Sequence, residues 1–172
     1  MMQVLSKRKP VEVPAPSIFQ THDHANCQSD ILTLADQQAQ AGELRLTAVR
    51  RRVLELLLES HQALGAYEIL EKLARDGFGD QPPVAYRALN FLVQQGFAHK
   101  VRRLNAYMAC TQPLQSHQPV LLICRQCKSV AETAAPVAEA VHSVAGEVGF
   151  EVERMNLEAI GLCPACAGGG SE

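Results

Sequence analysis

The chain has no tryptophan, and only three tyrosines and five phenylalanines in 172 residues. So few rings argue against a large aromatic ligand pocket, and no small organic substrate is expected. No apolar run approaches the ~18 residues that a spanning helix needs, so no membrane partner is expected either. The opening segment, MMQVLSKRKPVEVPAP, carries basic side chains but no apolar stretch, so no secretory signal is expected. The expected compartment is therefore the cytoplasm, where thiols are kept reduced and stay free or bind metal. Wholesale disorder is excluded by a composition of 47% apolar and 20% charged residues. The length suits one ordinary domain or two small ones.

The net charge of −2 conceals an asymmetry. Residues 1–117 hold 13 Lys and Arg against 11 Asp and Glu, a net of +2, whereas residues 118–172 hold 3 against 7, a net of −4. A phosphate-binding surface would have to lie in the first half.

Residues 1–28 contain Pro10, Pro14 and Pro16 and little apolar periodicity, which predicts a flexible arm. His22, Asp23, His24 and Cys27 in that arm could bind metal, but a metal-free arm is the expectation. From Ser29 the pattern is helical, with Ile31, Leu32, Leu34, Ala35 and Ala39, and it ends near Gly42. Thr47 can N-cap a second helix, which carries Val53, Leu54, Leu56, Leu57 and Leu58. A third runs over about 66–76, with Ile69, Leu70 and Leu73 inward and Gly77 at its end. A fourth opens at Pro82-Pro83, carries Ala88, Leu89, Leu92 and Val93, and stops at Gly96. Two short strands, 97–102 and 106–111, follow around a turn at Leu104-Asn105. Helices followed by a hairpin predict a winged helix-turn-helix, with the helix that ends at Gly96 as recognition helix and the hairpin as wing. Beyond residue 118 the pattern reads strand (119–124), strand (129–133), amphipathic helix (137–148) and strand (151–160). Such a unit is too small to bury a good core alone, so a partner chain or a metal staple is expected. The fold class is thus α+β: an N-terminal winged helix-turn-helix (29–112), a connecting stretch (113–118), a small α/β unit (119–167) and a tail (168–172).

Cys124-x-x-Cys127 and Cys163-x-x-Cys166 form the strongest local signal. Two residues between cysteines let both thiolates of one turn reach the same ion, and two such turns complete a closed tetrahedral site. This predicts structural zinc in preference to a redox pair. A second group, His99, Cys110, His117 and Glu132, is looser. His99 and Cys110 could face each other across the wing, His117 lies in the connecting stretch, and Glu132 lies on the second strand of the C-terminal unit. An ion held there would tie the two halves together, and two neutral imidazoles, a thiolate and a carboxylate would neutralise Zn²⁺. Spacing alone favours a plainer reading, with Cys110 a small core residue and the other three solvated.

Five segments in order, RLTAVRRRVLELL, AYEIL, PPVAYRALNFLVQQGFAHKV, ICRQC and GLCPAC, resemble the ferric-uptake-regulator superfamily of metal-sensing repressors over roughly residues 30–166. Among its branches the chain looks most like the zinc uptake regulators. The resemblance implies a DNA-binding domain (29–112), a hinge (113–118) and a dimerisation domain (119–167), in a homodimer that binds AT-rich, roughly palindromic double-stranded DNA operators when metal is bound. It implies two Zn²⁺ per chain: structural zinc on Cys124, Cys127, Cys163 and Cys166, and regulatory zinc on His99, Cys110, His117 and Glu132. That reverses the plainer reading of the second group. The soft Cys110 thiolate points the same way. The histidine-rich tract of iron-sensing relatives is reduced here to His117. For DNA, the resemblance points to Arg45, Arg50, Tyr67, Tyr86 and Arg87; by their place on the wing, Lys100, Arg102 and Arg103 are candidate phosphate contacts, with plain solvated charge the even alternative. Two positions depart from the family pattern. Val84-Ala85 replaces a threonine–valine pair at the start of the recognition helix, and Ala48-Val49 stands where a proline usually follows the threonine. His61 and His142 read as ordinary surface residues.

The expected function is zinc-responsive repression of zinc-uptake genes, with Zn²⁺ closing the hinge, and no enzymatic activity. The alternatives are an iron, manganese or peroxide sensor of the same superfamily, a thiol–disulfide redox protein, or a zinc store.

Overall fold

The computed structural model describes residues 24–59, 62–114, 117–134 and 137–168. Four helices open it: α1 (His24–Gln40), α2 (Ala48–Leu58), α3 (Ala66–Arg75) and α4 (Pro82–Gln94). Their ends follow the local chemistry. The Thr47 hydroxyl accepts the Arg50 N–H at the start of α2. Glu68 folds back to accept the Gly65 N–H at 2.6 Å at the start of α3. Pro82 and Pro83 occupy the first turn of α4. Gly96, at a φ of +75°, ends α4 and lets Phe97 N–H reach back to the Leu92 carbonyl. Helix α1 begins at His24, inside the segment predicted to be an arm. Its first turns lack apolar periodicity and are anchored by tertiary contact instead, since the Gln28 amide donates to the Leu58 carbonyl at the end of α2. The arm's His22 and Asp23, the side chains of His24 and Cys27, and His61 lie outside what is described.

The helices close over one core. Leu54, Leu56, Leu57, Ile69, Leu73, Leu89, Leu92 and Phe97 are fully buried in it. The wing strands, here β2 (Ala98–Val101) and β3 (Ala106–Ala109), pair antiparallel. A two-residue strand too short to show periodicity, β1 (Leu64–Gly65), joins β3 and makes a sheet of order β1-β3-β2. This arrangement is a winged helix-turn-helix.

The second sheet has the order β5-β4-β6, formed by β4 (Pro119–Cys124), β5 (Val130–Ala134) and β6 (Leu157–Gly161). β4 and β5 are antiparallel, while β6 lies parallel to β4 after a crossover through α5 (Val137–Glu147). β6 starts six residues later than the sequence suggests. Its register begins with Leu157 opposite Val120, near the start of β4, so residues before 157 have no strand to pair with. A single turn, α6 (Pro164–Ala167), carries the last cysteine.

Register also fixes how the halves meet. Residues two apart on a strand share a face, as do directly opposed residues. His99, Val101, Met108 and the following Cys110 therefore share one wing face. Leu121, Ile123, Val130, Glu132 and Glu158 share one face of the second sheet. These faces pack on each other: Val101, Met108, Leu121, Ile123 and Val130 form a second, smaller apolar cluster.

Candidate functional site

The parallel pairing of β6 with β4 sets Gly161 beside Cys124, so the chain arrives two residues later with Cys163 at the first cysteine pair. The Cys163 N–H points at Cys124 Sγ at 3.4 Å. Lys128, in the left-handed region at φ +60°, turns the first pair back into β5. The sulfurs of Cys124, Cys127, Cys163 and Cys166 all lie within 4.8 Å of one another. Cys127 and Cys163 are 3.7 Å apart, close to the ~3.8 Å edge of a tetrahedron with Zn–S bonds of ~2.3 Å. Their proton affinities conflict. The Cys127 and Cys163 N–H groups hold the Cys124 thiol down at about 6. The Ser129 hydroxyl lowers that of Cys127. The neighbouring Cys163 thiol and burial push Cys166 up to about 12. Crowded sulfurs cannot all ionise without a cation, and a divalent ion resolves that conflict. The donor set fits structural zinc.

His99, Cys110, His117 and Glu132 also converge, with one ligand atom each inside 4.8 Å. The route differs in detail from the one expected. His99 is paired with Met108, and the Cys110 N–H bonds to the Phe97 carbonyl, so His99 and Cys110 are diagonal neighbours on one wing face and not directly opposed. Leu121 opposite Glu132 turns that carboxylate toward the wing. The side chains of Glu132, His99 and His117 are only 4%, 19% and 16% exposed, which removes the plain reading of these three as solvated surface, while Cys110 is fully buried as that reading also had it. Glu132 Oε1 lies 3.0 Å from His99 Nε2 and 3.7 Å from Cys110 Sγ, and also contacts His117 Nε2. Cys110 Sγ is 3.6 Å from His117 Nε2. Burial works against the Glu132 charge, but the His99 hydrogen bond and charge, with the Thr111 N–H and His117, outweigh it and hold the carboxyl at about 2. Burial and that carboxylate push the Cys110 thiol up to about 12. An ionised carboxylate, two imidazoles and a thiol that only a cation would deprotonate form a fitting cradle for one Zn²⁺.

The basic residues sort into two groups. Arg51 is held by Asp36 at 3.0 Å and by Glu55, and Arg52 by Asp76 at 2.6 Å and Glu55 at 3.2 Å. Both are committed within the fold. Arg50 lies 3.5 Å over the Phe91 ring and donates to the Arg45 carbonyl at 2.6 Å. It therefore braces the segment that carries Arg45. Arg45, Arg87, Tyr86 and Tyr67 are exposed, Tyr67 by 65% although it sits on a helix with a buried opposite face.

A family model, the ferric uptake regulator family, matches residues 41–160. The chain belongs to the ferric uptake regulator family. It is 37% identical over 141 residues to the zinc uptake regulation protein of Escherichia coli (strain K12), covering 80% of this chain and 81% of that protein. The Shigella flexneri protein of the same name matches equally. Among solved structures it resembles a zinc uptake regulator complexed with zinc and DNA, at TM-score 0.77 and 36% identity, covering 82% of this chain and 95% of that one. It also resembles holo XcZur, at TM-score 0.73 and 35% identity, covering 82% and 99%.

This ferric-uptake-regulator chain carries two polar ties that sequence reasoning missed. Glu158 on β6 accepts both N–H groups at the wing turn, from Arg102 at 2.6 Å and Arg103 at 3.0 Å, and is itself held by the Asn156 amide at 3.1 Å. Thr111 donates to Glu132 Oε2 through its N–H at 2.8 Å and its hydroxyl at 2.9 Å. The parity of β6 could have turned Glu158 toward the wing, but only the packing of the halves shows what it meets.

Proposed function

We propose that this chain is a zinc-responsive, DNA-binding repressor of zinc-uptake genes, working as a homodimer in the cytoplasm with two Zn²⁺ per chain. The observation that carries the reading is the second cluster. Two of its ligands come from the wing, one from the connecting stretch and one from β5, so an ion there bridges the DNA-binding half and the rest. Chemistry at a single element would not need ligands from three places. Zinc acts in this reading through its higher affinity for the closed arrangement. Residues 29–112 then form the DNA-binding domain, 113–118 the hinge and 119–167 the dimerisation domain.

The four-cysteine cluster is the structural site and the His99–Cys110–His117–Glu132 cluster the regulatory one. In a dimer the two α4 helices enter successive major grooves about one helical turn apart. Arg87 and Tyr67 read base edges, Tyr86 and Arg45 flank them, and Arg50 acts through Arg45. The dimer surface is the face of α5, where Val137, Val141, Val144 and Val148 are exposed together with Phe150, and no residue of α5 is buried within the chain. A second copy covers that face. Iron or manganese sensing fits less well, because a buried thiolate is a soft ligand. Redox chemistry is disfavoured because all four sulfurs of the two pairs share one cluster.

The test is binding to an AT-rich palindromic duplex at buffered free zinc, with zinc per chain counted in parallel. Binding that appears as the second zinc loads is expected. Binding that ignores zinc, with one zinc per chain throughout, overturns the reading. No helix among the described residues is long and apolar enough to cross a membrane.

A further inference from the structure

We propose that Thr111 is a positioning residue of the second metal site: it engages Glu132 by one oxygen and thereby keeps that carboxylate a one-oxygen ligand. This rests on the regulatory-site reading above. Glu132 presents its two oxygens to different partners. Oε1 faces His99, Cys110 and His117. Oε2 receives Thr111 twice, from the backbone N–H at 2.8 Å and the hydroxyl at 2.9 Å. The Glu132 side chain is almost sealed from water, while Thr111 itself lies at the surface.

The chemical consequence follows from coordination number. A carboxylate with both oxygens available can swing to bind through two, which raises a four-ligand site to five. Zinc is satisfied by four ligands in a tetrahedron, whereas manganese favours octahedral oxygen-rich surroundings. Two hydrogen bonds on Oε2 oppose the swing, since the swing breaks them. Thr111 thus contributes to zinc affinity by holding a ligand in place before the ion arrives, and to selectivity by keeping the count at four. Placing ligand and positioner side by side at residues 110 and 111 means that the end of β3 delivers both at once.

The test uses the full chain with the four-cysteine site kept zinc-loaded and the second site emptied. Zinc is titrated against a competing chelator, and Co²⁺ and Mn²⁺ are titrated separately. Thr111→Val removes the hydroxyl at nearly constant shape, and Thr111→Ser restores it. Thr111→Val is expected to weaken zinc about tenfold, the low end of losses for partners of metal ligands. It is also expected to lower the visible band intensity of bound Co²⁺, as the site leaves tetrahedral geometry, and to weaken Mn²⁺ less than zinc. Thr111→Ser is expected to recover the parent's zinc affinity and Co²⁺ spectrum. A Thr111→Val protein with parental affinity and spectrum overturns the inference, as does a Thr111→Ser protein as weak as the valine variant. A parent that takes no second zinc instead overturns the reading of the site itself, so the two failures are distinguishable.

Discussion

In the helical half, Leu54, Leu57, Ile69, Leu73, Leu89 and Leu92 vanish from solvent inside one chain, whereas in the C-terminal half α5 buries nothing. The first half satisfies its hydrophobic residues by itself. The second has one sheet face packed on the wing, a cluster of four sulfurs, and an apolar helix face left for another molecule. A unit of about fifty residues cannot build a sufficient core, and in the proposed reading metal–thiolate bonds and a partner take its place. The difference matters for regulation. In the proposed reading, the half that reads DNA closes its own core, and the half that depends on metal controls how that piece is held.

The largest effect should come from breaking the metal staple. Cys163→Ser is expected to abolish the tightly held zinc and the dimer while most of the helical signal survives, because the first core does not touch that site. Circular dichroism, zinc content and light-scattering mass together check this; a stable dimer in the variant would contradict the comparison. Next comes Val144→Asp, which places a charge on the exposed face of α5. The dimer should weaken at least about a hundredfold, on the cost of burying an unpaired charge, with unchanged zinc content, as read by sedimentation. An unaffected dimer would move the partner surface elsewhere.

Cys110→Ser sharpens the contrast from the other side. It should leave the fold and dimer intact and remove the zinc dependence of operator binding, seen by titrating a labelled duplex at buffered zinc. The smallest effect is expected from Glu158→Gln. Glu158 ties the wing turn to β6 without metal, so weakening it should raise the free zinc needed for half-maximal DNA binding about threefold, or about 0.6 kcal/mol, the low end for an exposed hydrogen bond when the glutamine oxygen still accepts. Binding at saturating zinc should remain.

Much of this fold is legible in the residues. Thr47, Gly77, Pro82-Pro83 and Gly96 mark helix ends by local chemistry, and the two cysteine pairs announce their site by spacing. The start of α1 is not legible, because Gln28 is held by the distant Leu58 carbonyl. Neither is β1, whose two residues are strand only because Tyr107 and Ala106 lie opposite them. The second metal cluster stands between these cases. Its ligands share no spacing rule, and the family resemblance nominates them where periodicity does not. The shared faces of β2, β3, β4 and β5 explain how they meet. Thr111 and Glu158 carry no local signal for these contacts, since the other half supplies the partner, β5 for Thr111 and the wing turn for Glu158.

In the proposed reading, zinc at the second site joins the two halves. This is best checked by hydrogen exchange of the full chain, with the four-cysteine site loaded throughout and the second site either empty or filled. Slower exchange on filling is predicted in β2, β3, the 111–118 connection and β5, with the α2–α4 core unchanged. Equal exchange across the wing and β5 in both states would contradict the account.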